Sequence, residues 1–154
     1  MKFWEIAYDK KYMFGGSGYS DEYSPSVDNW SKYEFVSVDK NNNILGYIKY
    51  NINQRNQGVS GLYIVNFSNN KLIFGKDVFQ AIDDIFCKYN YYKLSYGVFV
   101  GNPIERNYDK LTKKYGGRIV GIKKKDEKLL DGNYYDFKMY EIFREDYLKN
   151  RKDK

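Results

Sequence analysis

The chain contains no histidine, and this absence excludes several kinds of catalytic site. Its 154 residues also include a single cysteine, Cys87. Ser-His-Asp and Cys-His nucleophilic sites and the common zinc sites that use histidine are therefore excluded. One thiol cannot form an internal disulfide or a thiolate metal cluster, so no metal is expected. Any chemistry must rest on Tyr, carboxylates, Lys, Arg, Ser or backbone groups.

Long apolar runs are also missing. No stretch approaches the ~20 apolar residues that a membrane-spanning helix needs, and the start, MKFWEIAYDKK, has too short an apolar block for a secretory signal. Cys87 lies within a helical apolar pattern, which is typical of a buried structural thiol in a reducing compartment. We therefore expect a cytoplasmic protein that makes no contact with a membrane.

The residues that are present indicate one folded domain with an anionic ligand. Hydrophobic residues make up 42% and aromatic residues 19% of the chain, enough for a core at this length. We expect a single domain over 1–148 and a basic tail over 149–154. The net charge of +6 is spread along the chain, so nucleic-acid binding is not expected. A nucleotide diphosphate fits this charge equally well.

Hydrophobic periodicity predicts a mixed succession of strands and helices. The segment SNNKLIFG separates the apolar strand GLYIVNF from the amphipathic helix KDVFQAIDDIFCKY. A helix that starts after such a loop offers free N–H groups and a dipole that both favour a phosphate. The predicted elements are a strand at 2–8, short helical turns within 20–32, strands at 34–38, 44–51 and 59–67, a helix at 76–89, a strand at 94–100, a helix from Pro103 to Gly116, and two closing strands joined at Asp131-Gly132-Asn133.

Several fragments of the C-terminal half resemble the GNAT (GCN5-related N-acetyltransferase) family. They are Asn102-Pro103, Tyr108-Asp109-Lys110, the helix-ending Gly116, and the closing hairpin around Asp131-Gly132-Asn133. The resemblance implies an α/β fold of the α+β type, with a mostly antiparallel central sheet of about six or seven strands flanked by helices. The implied element order is β-α-α-β-β-β-α-β-α-β-β.

The resemblance also implies an acetyl-CoA site between the fourth strand, at 59–67, and the fifth, at 94–100. Tyr108 matches the tyrosine that protonates the departing thiolate in many members of the family. The implied contacts to the cofactor are the backbone of Val65, Asn66 and Phe67 for the pantetheine, the segment with Asn70, Lys71, Phe74, Gly75, Lys76 and Asp77 for the pyrophosphate, and Asn102 and Lys110 for the outer portion.

The sequence departs from the family pattern at three places, and one of them is the spacing from Asn102 to Tyr108, which is one residue shorter than usual. No register of the segment 69–77 matches the pyrophosphate motif Gln/Arg-x-x-Gly-x-Gly/Ala, and the fourth strand has no carboxylate to act as a base. The carboxylates left as candidates are Glu34, Asp136 and Glu141. The aromatic residues that could line an acceptor pocket are Tyr12, Tyr19, Tyr23, Trp30 and Tyr33.

Two functions are therefore predicted as alternatives. The first is transfer of an acetyl group from acetyl-CoA to an amine acceptor by direct attack in a ternary complex, with Tyr108 as general acid. The second is a non-catalytic protein with the same fold that binds a protein partner. Tyr108 also lies on the apolar stripe of its helix, so packing alone is a competing explanation for it. A homodimer is compatible with either function.

Overall fold

The computed structural model describes residues 8–13, 30–68 and 71–151. Most of the predicted N-terminal strand, the glycine-rich run at 15–18 and the helical turns within 20–32 lie outside these residues. A short 3₁₀ turn, Lys10–Tyr12, comes first among the described elements. The strands that follow are β1 (Lys32–Val38), β2 (Ile44–Asn53), β3 (Gly58–Asn66), β4 (Lys93–Phe99), β5 (Arg118–Lys128) and β6 (Tyr134–Phe143), and the helices are α1 (Lys71–Asp83), α2 (Glu105–Lys114) and α3 (Arg144–Asn150).

The six described strands form one sheet in the order β1-β2-β3-β4-β6-β5. All neighbours pair in antiparallel fashion except β3 and β4, which are parallel. This confirms the predicted mixed, mostly antiparallel sheet with flanking helices. The predicted turns also form: Gly116 ends α2 with a positive φ of 72°, and Gly132 turns between β5 and β6 with a φ of 83°.

Helix α1 begins earlier than the sequence predicts. It runs from Lys71, so the segment expected to be a loop as far as Gly75 is already helical. Packing of Phe74 explains the early start of the helix, because its ring lies on the sheet directly over Gly46. A single π-helical turn, Asp84–Lys88, extends α1 at its C-terminal end. The amphipathic stripe predicted from Val78 to Tyr89 therefore continues one turn further toward the N-terminus.

The three described helices pack against one face of the sheet, here called the helix face. Because cross-strand partners share a face, the register places Tyr50 of β2, Leu94 and Tyr96 of β4, and Tyr140 of β6 on this side. These four residues are buried together with the apolar stripes of α1 and α2. The opposite side, here called the far face, carries Glu34 and Lys49 in register with Tyr63.

A bulge in β3 separates it from β4. Gly61 and Leu62 of β3 together oppose Tyr50 of β2, since the register shifts between Lys49 and Asn51. Gly61 has a φ of 63°, the left-handed conformation that this kind of bulge requires. Pairing between β3 and β4 is limited to Gly58–Lys93 and Val59–Leu94. Beyond those pairs the two parallel strands diverge and leave an opening in the sheet.

The C-terminal helix was not predicted. It is tied to the end of α1 through Asp83, whose carboxylate accepts a hydrogen bond from Tyr147 Oη at 2.9 Å and pairs with Arg151 at 2.9 Å. Residues 149–151, predicted to begin a basic tail, therefore include the end of α3 and an ion-paired arginine. None of the helices described in the structure has the length and apolar character needed to span a membrane.

Candidate active site

The opening between β3 and β4 is bordered by unpaired backbone groups on both sides. Phe67 N donates to Leu45 O at 2.9 Å, so alternation turns the backbone of Val65 toward β2 and that of Ile64 and Asn66 toward the opening. On β4, Val100 N donates to Asp136 O at 2.9 Å. By the same alternation, Ser95 and Gly97 of β4 direct their N–H and C=O groups into the opening.

These edges correct part of the predicted pantetheine contact. Of Val65, Asn66 and Phe67, Asn66 alone has its backbone directed at the opening, because the other two face β2. Ile64, which the sequence analysis missed, supplies the second unpaired edge. Alternate residues of a strand are ~6.6 Å apart, so Ile64 and Asn66 present two sets of donors and acceptors to an extended ligand. Strand alternation from the β2–β3 hairpin register would have identified this pair.

The first turn of α1 lies beside the open end of this gap. Phe74 is 5% exposed, and its ring packs so closely on Gly46 that a Cβ there would clash with Phe74 Cε2. Its side chain therefore belongs to the core and is not accessible to a ligand. Gly75 is different, because a Cβ built there meets no atom within 4 Å. The backbone at Gly75 is thus open to approach from outside the helix.

The remaining residues of the predicted pyrophosphate segment diverge in direction. Lys71 and Lys76 are exposed, but five helical residues separate their side chains by about 140° around the axis. Asp77 faces the sheet, where its carboxylate accepts a short hydrogen bond from Ser37 Oγ. Asn70 lies outside the described residues. Lys71 and Gly75, one turn apart on the same side, remain the pair best placed to contact a diphosphate.

Tyr108 lies in a cluster of three tyrosine rings between α2 and the helix face. Its ring centroid is 5.1 Å from that of Tyr96 and 6.1 Å from that of Tyr140, both edge-on, and Tyr96 and Tyr140 stack at 5.2 Å. Tyr96 belongs to β4, the strand that forms one wall of the opening. The fold therefore brings the predicted general acid to the helix face of the β4 wall.

The hydroxyl groups of the three tyrosines have different surroundings. Thr112 Oγ1 donates to Tyr108 O at 2.7 Å and lies 2.6 Å from Tyr96 Oη. Since Thr112 has one proton and gives it to the carbonyl, Tyr96 must donate to Thr112. Tyr140 donates to Asp109 at 2.8 Å. Tyr108 Oη has no hydrogen-bond partner among the described residues. The fully buried hydroxyls without a partner are those of Tyr50 and Tyr63, so the Tyr108 hydroxyl keeps some accessible surface.

Burial determines the acid–base character of these phenols. It raises the pKa of Tyr108 above its ordinary value of 10, with Tyr96 and Tyr140 adding to the increase. Burial also raises the pKa of Tyr96 to about 12. Tyr108 is therefore protonated throughout the neutral range, as a proton donor must be. Because its pKa exceeds that of a thiol, Tyr108 would stabilise a departing thiolate mainly by donating a hydrogen bond, and complete transfer of its proton would require a replacement proton from solvent.

An ion cluster holds α2 against the sheet above this tyrosine cluster. Lys138 Nζ lies 2.7 Å from Asp109 and 3.2 Å from Glu105. The hydrogen bond from Lys138 lowers the pKa of Asp109 despite some desolvation, and the bond to Asp109 raises the pKa of Lys138. Both groups stay charged near neutral pH, so the cluster fixes the position of Tyr108 on α2.

The two predicted contacts to the outer part of the cofactor have separate positions. Asn102 Oδ1 accepts a hydrogen bond from Ile104 N at 3.0 Å, so its side chain shapes the turn that opens α2. Lys110 is exposed, and two helical steps place it on the side of α2 away from Tyr108. Both stay predictions as cofactor contacts, and Lys110 is not brought to the tyrosine cluster.

The candidate carboxylate bases all have cationic partners. Glu34 lies 3.3 Å from Lys32 Nζ, and Asp136 pairs with Lys124 at 2.7 Å. Glu141 is bound by Arg118 at 2.7 Å and by Lys93 at 3.4 Å. Burial opposes ionisation of Glu141, but the hydrogen bonds from Arg118 and Lys93 outweigh it and lower the pKa of the carboxyl. A base role therefore stays a prediction for Glu34 and has least support for Glu141.

Of the aromatic residues predicted to line an acceptor pocket, Tyr12, Trp30 and Tyr33 are among the described residues. Tyr33 packs on the helix face, where its ring is 5.5 Å from Tyr50 and 5.1 Å from Tyr89. Trp30 is 71% exposed, and Tyr12 lies in the 3₁₀ turn. Tyr19 and Tyr23 lie outside the described residues. The prediction that Tyr33 lines an acceptor pocket is therefore wrong, because its ring packs on the helix face.

Comparisons with known proteins agree with this geometry at the level of the fold. No protein-family model and no curated protein matches the sequence. Among solved structures, mutant forms of the spermidine/spermine N-acetyltransferase SpeG from Vibrio cholerae superpose with a TM-score of 0.67 at 22% identity, covering 80% of this chain and 74% of theirs. The manganese complex of the same enzyme gives 0.65 at 22% identity, over 80% and 72%.

A further match is a chimera of the spermidine N-acetyltransferase SpeG from Vibrio cholerae and hSSAT, with a TM-score of 0.64 at 23% identity, over 78% of this chain and 72% of the other. These enzymes are GNAT proteins. The similarity is one of backbone arrangement, because the identities are low throughout. With its mixed, mostly antiparallel sheet of six described strands and its flanking helices, the chain has the fold of the GNAT N-acetyltransferases.

Proposed function

We propose that the chain is an acetyl-CoA-dependent N-acetyltransferase. The observation that carries this proposal is the gap between β3 and β4, whose two borders are unpaired strand edges. Backbone groups inside a sheet require partners, and pantetheine, with its two amides, is an extended ligand that can add to a strand edge in this way. Ile64 and Asn66 on one side and Ser95 and Gly97 on the other would hold it.

The cofactor's diphosphate would lie at the start of α1. The orphan N–H groups of α1 and the positive end of its dipole favour an anion there. Lys71 adds a positive charge on the side of the helix where Gly75 leaves the backbone open. Pantetheine would run from this point into the opening. This path would bring the thioester to the helix face of β4, toward the hydroxyl of Tyr108.

The reaction is direct attack of a neutral amine nitrogen on the thioester carbonyl. A C–N bond forms, the C–S bond breaks and the amine loses a proton. The departing thiolate accepts a hydrogen bond and then the proton of Tyr108, which solvent replaces. No covalent intermediate on the protein is required, which suits a chain without histidine. The amine proton would leave to solvent or to a carboxylate on the far face, for which Glu34 is the candidate.

A non-catalytic binding protein with the same fold is the second candidate. Two features at the start of α1 favour it. Phe74 is buried in the core, and the residues that directly precede Lys71 in the sequence contain no glycine. Such a start would grip a diphosphate through fewer backbone contacts. The two candidates differ in whether acetyl-CoA binds and is consumed.

Thermal unfolding with and without acetyl-CoA tests cofactor binding first. At ~100 times its dissociation constant, a ligand stabilises the native state by roughly 2.7 kcal/mol. We expect a clear rise in Tm for the wild type and a smaller one for Lys71→Ala. Lys76→Ala, on another side of α1, serves as the matched control. No shift at millimolar acetyl-CoA would favour the non-catalytic protein.

Tyr108→Phe then separates binding from chemistry. The variant keeps the ring that packs against Tyr96 and Tyr140, so the fold and the acetyl-CoA shift should persist. Loss of a positioned proton donor should lower kcat roughly 10²- to 10⁴-fold. An unchanged kcat with an active acceptor would show that Tyr108 is a packing residue alone.

A further inference from the structure

Tyr96 connects the wall of the opening to the helix that carries Tyr108. It lies in the middle of the β4 segment that borders the gap, with its backbone groups toward β6, while Ser95 and Gly97 on either side direct theirs into the gap. Its side chain crosses the helix face to α2. There its ring lies edge-on to Tyr108 at 5.1 Å, and its hydroxyl lies 2.6 Å from Thr112 Oγ1. Tyr96 therefore joins the strand edge proposed to hold pantetheine to the helix of the proposed proton donor.

The hydrogen bonds that start at Tyr96 end on Tyr108 itself. Tyr96 donates to Thr112 Oγ1, and Thr112 Oγ1 donates to the backbone carbonyl of Tyr108 at 2.7 Å. Tyr96 is 5% and Thr112 4% exposed, so both bonds lie where a hydrogen bond is electrostatically stronger than in water. A movement of Tyr96 with β4 is thus passed to the backbone of Tyr108 through two buried bonds.

This connection is the second of two anchors that hold α2 on the sheet. Lys138 is the first, and it pairs with Glu105 and Asp109 in the first half of the helix. Thr112 lies three residues beyond Asp109, about 4.5 Å further along the helix axis. A helix held at one level can pivot there, whereas a helix held at two levels keeps its orientation. Tyr108 lies between Glu105 and Thr112, so both anchors determine where its hydroxyl points.

We propose that Tyr96 is a positioning residue for the acetyl transfer: through Thr112 it holds the Tyr108 hydroxyl within hydrogen-bond reach of the sulfur of a cofactor bound along β4. The proposal rests on the proposed function and adds to it the way in which the proton donor is aligned. A donor has to lie ~2.6–3.2 Å from its acceptor, and a displacement of ~1 Å can lower a rate about 10²-fold. Tyr96 gives its own proton to Thr112, so it positions the donor and is not the donor.

Core packing is the competing explanation for Tyr96, because its ring also stacks on Tyr140 at 5.2 Å. Tyr96→Phe keeps this ring and removes the hydroxyl alone. A matched control is Tyr147→Phe, which removes another buried tyrosine hydroxyl. Tyr147 Oη donates to Asp83 at 2.9 Å, at the end of α1 opposite to the proposed diphosphate contact. Both substitutions cost a buried hydrogen bond, but one of them alone affects the link to Tyr108.

The test needs no acceptor, because it compares two cofactor forms. Free coenzyme A has a thiol that ionises, with an ordinary pKa near 8.5 for a thiol, and acetyl-CoA has none. A hydrogen bond from Tyr108 to the thiolate would lower the pKa of the bound thiol, so coenzyme A should gain affinity relative to acetyl-CoA as the pH rises. Between pH 7 and 9 the ratio of the two dissociation constants, acetyl-CoA over coenzyme A, should rise about 3- to 20-fold in the wild type. Isothermal titration calorimetry measures both constants.

The variants identify the groups responsible for this rise. In Tyr108→Phe the ratio should stay constant with pH. Tyr96→Phe should lose most of the rise and still bind acetyl-CoA like the wild type, since the strand edge and the ring remain. Thr112→Val breaks the same link from the other side and should behave alike, whereas Thr112→Ser keeps the hydroxyl and should restore the rise. Tyr147→Phe should retain it.

Each other outcome decides against one part of the reasoning. A full rise in Tyr96→Phe, an equal loss in Tyr147→Phe, or weaker binding of both ligands alike in Tyr96→Phe would overturn the positioning role. A constant ratio in the wild type would show that Tyr108 donates no hydrogen bond to the sulfur, and would overturn the proposal with cofactor binding left in place. Absence of binding of either ligand would reject the proposed function itself.

Discussion

The substitution Gly75→Ala should stabilise the unliganded protein and weaken acetyl-CoA binding, if α1 is helical at this position and binds the cofactor. Gly75 is the fifth residue of the helix, its φ is outside the left-handed region, and an added Cβ has no neighbour within 4 Å. Alanine at such a site restricts the unfolded chain without a clash. The free energy of unfolding should rise by ~0.5–1 kcal/mol. For a chain of this length that corresponds to a rise in Tm of about 1–4 °C.

The same methyl group occupies the space through which a diphosphate would approach the backbone. We expect weaker acetyl-CoA binding, and a tenfold loss would cut the ligand-induced stabilisation by about 1.4 kcal/mol at fixed excess ligand. Differential scanning fluorimetry of both proteins, with and without acetyl-CoA, measures both effects. The unliganded variant should melt higher than the wild type, and its acetyl-CoA shift should be smaller.

Either half of this result can fail separately. A lower Tm without ligand would contradict the helical conformation or the open space at Gly75. A higher Tm with an undiminished acetyl-CoA shift would show that the ligand does not approach Gly75, and would remove this residue from the cofactor site. The unliganded melt thus serves as the internal control for correct folding of the variant.

Two further predictions concern buried polar groups. Tyr50 is fully buried, and its hydroxyl has no hydrogen-bond partner among the described residues. Tyr50→Phe should therefore raise the free energy of unfolding in urea denaturation, by roughly 1–3 kcal/mol at most. A clear destabilisation would mean that the hydroxyl does form a hydrogen bond. Glu141 has a folded pKa below its ordinary 4.5, because Arg118 and Lys93 outweigh its burial. Its contribution is therefore present above pH 4.5 and lost as pH falls through the lower folded pKa. The free energy of unfolding should decline less steeply between pH 5 and 3 in Glu141→Gln than in the wild type, and parallel profiles would refute the assignment.

Local sequence signals predicted the elements whose conformation depends on near neighbours. The hairpin between β1 and β2 turns at Asp39, whose carboxylate accepts hydrogen bonds from Asn41 and Asn43. Gly116 ends α2 because the chain there needs a positive φ. These features follow from side chains and backbone angles within a few residues, which a linear sequence shows directly.

The start of α1 could not be predicted in the same way. The segment Lys71 to Gly75 contains a glycine and follows a polar run, which is typical of a loop. Phe74 becomes helical and buried because Gly46, 28 positions earlier, leaves room for its ring on the sheet. Such a fit depends on long-range packing, and tertiary contacts override weak local preference.

The site shows the same division. The sequence alone determined which residue types could do chemistry: no histidine, one cysteine, a tyrosine followed by Asp-Lys on a helix, and a strand without a carboxylate. The tertiary structure decided which of them meet. Strand register turned Ile64 and Asn66 toward the opening, placed the tyrosine cluster on one face and left Lys49 on the other. The physical reason is that side chains and backbone hydrogen bonds alternate in direction along a strand. Pairing partners distant in the chain therefore fix which face each side chain occupies and which neighbouring strand each backbone group meets, and the bulge at Gly61 sets where that pairing stops.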